Sequence, residues 1–413
     1  MAELKRIVGK IYIGLLVCLL VFNMLILVSD KTDDLQVTYA YIEMLNTAKG
    51  VKSDSKLSTE AATIAWQEYF QKYEINGSDS SDKTAAAKQA REKLMQQAKY
   101  IDNYKGIIED KRQTAILYAT AGTYKKNSFE YNNLLKTQYD LSQIIDADVQ
   151  LSNGLWLEKL YKNNYIHLLT LITCVYTVYM FFSERKNGLY HIVHTGQSGR
   201  GVLFVKRSII LLIQAVVTNV ALYTESAVML LNRYDGVKDL NVAAVSDEYF
   251  ILTSGKLSRI QFLGLIILLS ILANVVLSLV LWAILLCFGN VNIGLFFYCC
   301  ICVADVVIYK VISAKSILQI FKYLNVYYLF FPNKAAEYFN WGCFNIAVSL
   351  LTTTIIVSVF IGILALFASA YISIRKYFTG KMNIVENAIE LILTYIMRLM
   401  VKTNNFGKEV YKI

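Results

Sequence analysis

Two carboxylates lie inside long apolar runs of the sequence. Glu225 interrupts a run at residues 208–231, and Asp305 interrupts another at 291–311. A carboxylate in the hydrocarbon core is costly, so it is expected to face the interior of a helix bundle or water. At about 1.5 Å per residue, both fall in the outer half of the bilayer and could share a site. They are candidates for a polar contact between helices, for a pathway that passes a cationic substrate, or for a proton relay.

The sequence contains no complete nucleotide-binding or metal-binding motif. Gly196 and Gly201 have the spacing of two P-loop glycines, but Val202 stands where the phosphate-binding lysine is required. His191 and His194 are three residues apart, yet no third ligand lies near them in the sequence. We therefore expect no catalytic residue, metal or cofactor in this chain, and we do not expect it to be an enzyme.

The apolar runs that hold the two carboxylates belong to a set of six. Of the 413 residues, 56% are hydrophobic and 17% are charged, and Pro332 is the single proline. Long uninterrupted helices should therefore dominate. Each run is long enough to cross a bilayer, so the sequence predicts an all-α integral membrane protein with six transmembrane helices. The predicted spans are residues 11–28, 165–182, 208–231, 262–288, 291–311 and 347–371.

These spans divide the chain into four regions. Lysines and arginines of the short loops concentrate on the side of the N-terminus, which the positive-inside rule places in the cytoplasm together with the C-terminus. The regions are an N-terminal cytoplasmic segment with the first span (1–30), an extracytoplasmic helical domain (31–164), spans two to six (165–372) and a cytoplasmic tail (373–413).

The extracytoplasmic insert is predicted to be helical. Ala87, Leu94, Ile101 and Ile108 recur every seven residues, which indicates a long amphipathic helix. A second helical stretch at 129–160 is expected to pack back on it as an antiparallel hairpin. The insert contains no Cys and no His, so it offers neither a disulfide framework nor a Ser-His-Asp or Cys-His site.

The cytoplasmic loop at residues 183–207 is a candidate docking site. It consists of a short amphipathic helix, a glycine-rich break and a basic return into the next span. One interpretation is a charged loop that obeys the positive-inside rule. The other is a helix parallel to the membrane that docks a cytoplasmic partner and transmits its movement to two spans. The candidate coupling residues are Glu184, Arg185, Gly188, Tyr190, His191, Thr195 and Arg200.

Part of this loop carries a family resemblance. Phe181, Glu184 and Gly188 form the pattern Phe-x-x-Glu-x-x-x-Gly at the end of the second span. With a large insert after the first span, the chain resembles the ABC-2-type exporter permeases of Gram-positive bacteria. Asp305 and Asn325 lie where such permeases often have an acidic residue and an asparagine.

The resemblance implies a location, partners and a cofactor. The chain would be a permease subunit in the cytoplasmic membrane of a Gram-positive bacterium, paired with a second permease subunit that is identical or homologous. Separate ATP-binding-cassette ATPase subunits would bind ATP and Mg and dock on the Glu184 loop. No nucleic acid is expected as a partner.

Three further features lead to predictions. The aromatic segment 316–341, broken at Pro332, is either an aromatic belt at headgroup level or, as the resemblance implies, an outer re-entrant segment at 314–343. His167 is predicted to lie at the membrane interface. A tail helix from Asn383 has a polar stripe, which favours an interfacial helix over a seventh span, with partner binding as the alternative.

Two functions remain open at this point. The first is an exporter permease that moves a peptide-like, lipid-like or toxic substrate, driven by its ATPase partners. The second is a membrane scaffold or secretion-system component whose outer helical domain binds a protein. Co-purification of an ATPase would separate the two.

Overall fold

Within the residues that it describes, the computed structural model is helical apart from one two-stranded β-hairpin. The described residues are 10–29, 35–49, 51, 57–73, 82–183, 197–253, 255–313, 318–343 and 345–375. The helices are α1 (Lys10–Ser29), α2 (Leu35–Ala48), α3 (Leu57–Lys72), α4 (Asp82–Thr120), α5 (Phe129–Ile144), α6 (Leu155–Lys162), α7 (Tyr165–Phe181), α8 (Gln197–Tyr234), α9 (Arg259–Cys287), α10 (Val291–Val311), α11 (Gln319–Tyr323), α12 (Tyr327–Phe330), α13 (Pro332–Ala335) and α14 (Leu350–Arg375). The strands are β1 (Asn340–Cys343) and β2 (Ile346–Ser349). The predicted tail helix from Asn383 lies outside the described residues.

Five of these helices are long and apolar enough to cross a membrane: α1, α8, α9, α10 and α14. Helix α9 is central, because it packs against α7, α8, α10 and α14. The chain is therefore a multi-pass helical membrane protein.

The second predicted span needs a correction. Helix α7 has 17 residues, about 25 Å of helix, which is shorter than the roughly 30 Å hydrocarbon core. It qualifies as a span only together with α6, from which it is bent by 47°. The bend lies where Asn163 leaves helical geometry and its side-chain oxygen accepts the backbone N–H of Tyr165 at 3.0 Å. Up to six spans result if this bent pair is counted as one.

Two other helices begin at residues that differ from the start of the predicted apolar run. Helix α8 begins at Gln197 rather than at residue 208, so its first turns occupy part of the predicted loop. Helix α14 begins at Leu350 rather than at residue 347, because residues 346–349 pair with β1 as an antiparallel strand.

Helices α2 to α5 form a helical domain between α1 and α6. Helix α4 is the long amphipathic helix, and its heptad residues Ala87, Leu94, Ile101 and Ile108 are all buried. Helices α2, α3 and α5 each pack against α4. The predicted two-helix hairpin is therefore part of a larger four-helix assembly.

The predicted helical stretch 129–160 is interrupted. Helix α5 ends at Ile144 and α6 begins at Leu155. Between them the backbone bonds to distant parts of the chain: Asn153 N–H donates to the Asp239 carboxylate at 2.8 Å. Such long-range bonds replace the local ones that a continuous helix would need.

The aromatic segment before α14 packs on itself. Tyr327, Tyr328 and Trp341 are each no more than 5% exposed. The rings of Tyr309 and Tyr327 stack at 3.7 Å, and Trp341 Nε1 donates to Thr353 Oγ1 at 2.7 Å. The aromatic-belt prediction is wrong for these residues, because their rings are covered by protein rather than presented to headgroups.

Candidate functional site: an interhelical polar cluster

Buried polar side chains line the contact between α7, α8 and α9. On α9, Ser270, Asn274 and Ser278 are spaced by four residues, so they share one helix face. The polar residues of α7 have three- and four-residue spacing and also share a face. We define the interhelical polar cluster as His167, Thr170, Thr173 and Thr177 of α7, Gln214 and Tyr223 of α8, and Ser270, Asn274 and Ser278 of α9.

Tyr223 connects the three helices at the end nearer the helical domain. Its hydroxyl lies 3.0 Å from Ser270 Oγ, 3.4 Å from either ring nitrogen of His167, and 3.4 Å from Asn333 Oδ1. Asn333 is fixed in turn, since its Nδ2 donates to the carbonyl of Tyr161 at 2.8 Å. His167 is 6% exposed and lies in the first turn of α7, so its imidazole packs within the helix bundle. That it lies at the membrane interface stays a prediction.

The middle of the cluster has fewer hydrogen bonds between helices than the end around Tyr223. Gln214 Nε2 donates to Thr173 Oγ1 at 2.8 Å, which links α8 to α7. Ser278 Oγ lies 3.0 Å from Cys174 Sγ and 3.3 Å from Asn274 Oδ1, which links α9 to α7. Interhelical hydrogen bonds in membranes contribute only about 0.6 kcal/mol each on average. These contacts can therefore be exchanged at small cost.

Several buried atoms of the cluster have no hydrogen-bond partner among the described residues. They include Asn274 Nδ2, Gln214 Oε1 and Thr177 Oγ1. An unmatched buried polar group costs about 1–3 kcal/mol. Beside them, His167, Thr170, Ser270 and Asn274 line a cavity of about 20 Å³, which is room for one water molecule. The cluster thus offers neutral donors and acceptors, with one imidazole, to water or to a polar group.

The two intramembrane carboxylates are not brought together. Glu225 of α8 accepts a bond from Asn23 Nδ2 of α1 at 2.9 Å. Asp305 of α10 accepts the backbone N–H of Val326 at 3.4 Å. No hydrogen bond among the described residues joins them or gives them a common partner. The shared site that the sequence allowed is therefore not formed among the described residues, because the two carboxylates bind partners on different elements.

Most predicted coupling residues lie outside the described residues. These are Glu184, Arg185, Gly188, Tyr190, His191 and Thr195. Arg200 is described, and it lies in the first turns of α8, where it is half-buried.

Aromatic contacts join the helix ends nearest to this loop. The Trp282 ring of α9 stacks on Phe204 of α8 at 5.2 Å and meets Phe181 of α7 edge-on at 5.5 Å. The guanidinium of Arg207 lies 5.3 Å from the centre of the Phe181 ring. The loop therefore emerges from a packed contact between the same three helices that carry the polar cluster.

An ionic network joins the opposite end of α9 to the helical domain. Arg259, the first residue of α9, is fully buried and pairs with Asp247 at 3.1 Å. Its Nη2 also donates to Ser152 Oγ at 2.9 Å. Gln97 of α4 donates to the Ser152 carbonyl at 2.8 Å. Burial raises the pKa of Asp247, and the neighbouring Arg259 guanidinium opposes that rise.

Sequence reasoning missed both the polar cluster and this network. The four-residue spacing of Ser270, Asn274 and Ser278 inside an apolar run was a usable signal for the cluster. Arg259 gave no such signal, because an arginine at the end of a span is normally solvated. Among the described residues, no group of three or more His, Cys, Asp or Glu side chains could hold a metal ion.

The chain matches no family model, no curated protein and no solved structure.

Proposed function

We propose that the chain is the permease subunit of an ATP-binding-cassette exporter. It would couple ATP hydrolysis by separate ATPase subunits to the movement of a peptide-like, lipid-like or toxic substrate across the cell membrane. A second permease subunit, identical or homologous, would complete the pathway. The observation that carries the proposal is that residues 184–196 lie in the chain between α7 and α8, two of the three helices that form the interhelical polar cluster.

The arrangement supports a mechanical mechanism. An ATPase that presses on the loop would displace the adjoining ends of α7 and α8. Phe181 and Phe204 would pass that displacement to Trp282 of α9 through their ring contacts. Because tightly packed helices move between discrete arrangements, the displacement would exchange the weak polar contacts of the cluster and admit water or a polar substrate group.

The intramembrane carboxylates have a supporting role in this proposal. Asp305 Oδ2 is buried without a partner among the described residues, so it could receive a cationic group of the substrate. Glu225 is held by Asn23, which suits a structural contact between α1 and α8.

The test begins with the partner. The tagged chain is purified from its native membrane, and associated proteins are identified by mass spectrometry. We expect an ATPase subunit to co-purify, and we expect Glu184→Ala and Gly188→Ala to reduce its recovery about tenfold, which corresponds to about 1.4 kcal/mol. Glu248→Ala is the matched control, because Glu248 is exposed near the opposite end of α9. ATP hydrolysis by the purified chain alone, or normal recovery with both loop variants, would refute the proposal.

A scaffold role is the second candidate, and exposed apolar residues favour it. Leu117 is 65% exposed on α4, and Tyr139 is 64% exposed on α5. If the tagged chain retains envelope proteins but no ATPase, and if Leu117→Ser with Tyr139→Ser abolishes their retention, the helical domain is a protein-binding module.

A further inference from the structure

A groove lies where the helical domain meets the ends of two spans. It has a volume of about 410 Å³ and is bounded by α5, residues 252, 253 and 255–257, residues 336–339 and the start of α14. This volume is within the range of about 300–1,000 Å³ that is typical of small-molecule sites. We call it the junction groove.

The base of the junction groove is apolar. Leu257, Leu265, Leu351 and Ile144 line it. Leu265 is in the second turn of α9 and Leu351 is in the first turn of α14, and both helices are candidate spans. The apolar lining of the groove is therefore continuous with the first turns of two candidate spans.

Two of the four charges that line the groove neutralise each other. Lys136 Nζ lies 2.5 Å from Asp140 Oδ2, and Tyr338 Oη donates to the same carboxylate at 3.0 Å. The other two, Lys256 and Glu337, are exposed, and neither forms an ion pair within the described part of the chain. The groove thus presents one cation and one anion that form no ion pair among the described residues. Lys256 also lines a neighbouring pocket that contains Asp146 and Asp148.

We propose that the junction groove binds a zwitterionic phospholipid of the phosphatidylethanolamine type. Lys256 pairs with the lipid phosphate, Glu337 pairs with its ammonium group, and the glycerol and first methylenes lie on the leucine base. An anionic lipid without an ammonium group would leave Glu337 unpaired beside a second negative charge. This inference does not depend on what the spans transport.

The test uses the full chain in detergent and native mass spectrometry. Short-chain phosphatidylethanolamine, short-chain phosphatidylglycerol and glycerophosphoethanolamine are titrated separately. We expect phosphatidylethanolamine to bind most tightly, and glycerophosphoethanolamine to bind more weakly because it lacks the chains that cover the apolar base. Lys256→Ala and Glu337→Ala should each raise the Kd for phosphatidylethanolamine by up to about fivefold, the upper end of the range for an exposed ion pair.

Matched controls make the result specific. Lys238→Ala and Glu248→Ala remove the same charges from exposed residues that do not line the groove, and they should leave the Kd unchanged. The double reversal Lys256→Glu with Glu337→Lys should restore part of the binding lost by Lys256→Glu alone. Equal affinity of the wild-type chain for phosphatidylethanolamine and phosphatidylglycerol would overturn the proposal. So would groove variants that behave like the controls.

Discussion

Arg259 and Asp247 form an ion pair that is buried beneath the helical domain. The Nε and Nη2 atoms of the guanidinium donate to the carboxylate at 3.1–3.2 Å, and the Arg259 side chain has no exposed surface. Since Arg259 begins α9 and Asp247 lies in the connection that precedes it, this pair fixes the entry of the central helix relative to the domain.

Removing one partner of this pair should strongly destabilise the protein. We expect Arg259→Met to lower the free energy of unfolding by about 3–5 kcal/mol, because it leaves the Asp247 charge buried without its ionic partner. Thermal unfolding of the detergent-solubilised chain measures this loss. Lys72→Met is the control, since Lys72 pairs with Glu43 at an exposed site, where an ion pair contributes little to the free energy of unfolding. Equal losses in the two variants would contradict a structural role for the buried pair.

Two glycine-to-alanine substitutions should change stability in opposite directions. A Cβ at Gly154 would lie 1.7 Å from Asp247 Oδ2, so Gly154→Ala must displace that carboxylate from Arg259. We expect Gly154→Ala to lower the free energy of unfolding by about 1–3 kcal/mol. Gly106 lies inside α4 with open space around it, so Gly106→Ala should stabilise by roughly 0.5–1 kcal/mol. The two effects are measured as shifts of the denaturation midpoint. A stabilising effect of Gly154→Ala would contradict the close contact between residue 154 and Asp247.

Asp102 should make the stability of the helical domain depend on pH. Its carboxylate accepts the backbone N–H groups of Ser58 and Thr59, at 3.0 and 2.9 Å, at the start of α3. Burial by itself raises the pKa of Asp102, but the bonds from Thr59 and Ser58 lower it below its usual value. The stabilisation is therefore complete above the pKa of an aspartate in the unfolded chain, about 3.9. It is lost as the pH falls through the lower pKa that Asp102 has in the folded protein.

The measurement compares the unfolding temperature of wild type and Asp102→Asn between pH 7 and pH 3. At pH 7 we expect the free energy of unfolding of Asp102→Asn to be about 0.5–2 kcal/mol lower than that of wild type, as for the loss of other helix caps. The difference should shrink below about pH 4. Asp110 is an exposed residue of α4, the helix that also contains Asp102. The difference in unfolding temperature between wild type and Asp110→Asn should not shrink as the pH falls. A gap between wild type and Asp102→Asn that stays constant down to pH 3 would count against the capping role.

The interhelical polar cluster should matter more for activity than for stability. Asn274→Leu removes one weak bond from Ser278 and an amide nitrogen that has no partner among the described residues, so stability should change by less than about 1 kcal/mol. Substrate-stimulated ATP hydrolysis by the complex should fall sharply. Asn23→Leu is the contrasting variant. The amide of Asn23 donates to Glu225 and Ser226, so its loss should cost about 1–3 kcal/mol. A large loss of stability in Asn274→Leu would indicate a purely structural cluster.

The sequence predicted well those features that depend on local pattern. Apolar run length identified the helices at 10–29 and 291–311 nearly to the residue, because a span is defined by its own composition. The seven-residue repeat of Ala87, Leu94 and Ile101 identified α4, because amphipathic periodicity is written within a single helix. The fate of the polar residues was harder to predict. The sequence left open whether Glu225 and Asp305 share a site, and it did not indicate that His167 meets Tyr223 of another helix. Neighbours on other helices do not follow from position along one run.

By itself, the sequence determined that the chain enters a membrane several times and carries a helical domain after its first apolar helix. The tertiary structure alone decided which polar groups meet. Arg259 is buried because Ser152, which is 107 residues earlier, and Asp247 converge on it. Tyr223 is satisfied by Ser270 and Asn333, 47 and 110 residues later. A polar group is tolerated in an apolar interior only when partners reach it. Those partners are brought together by helix packing rather than by any local sequence pattern.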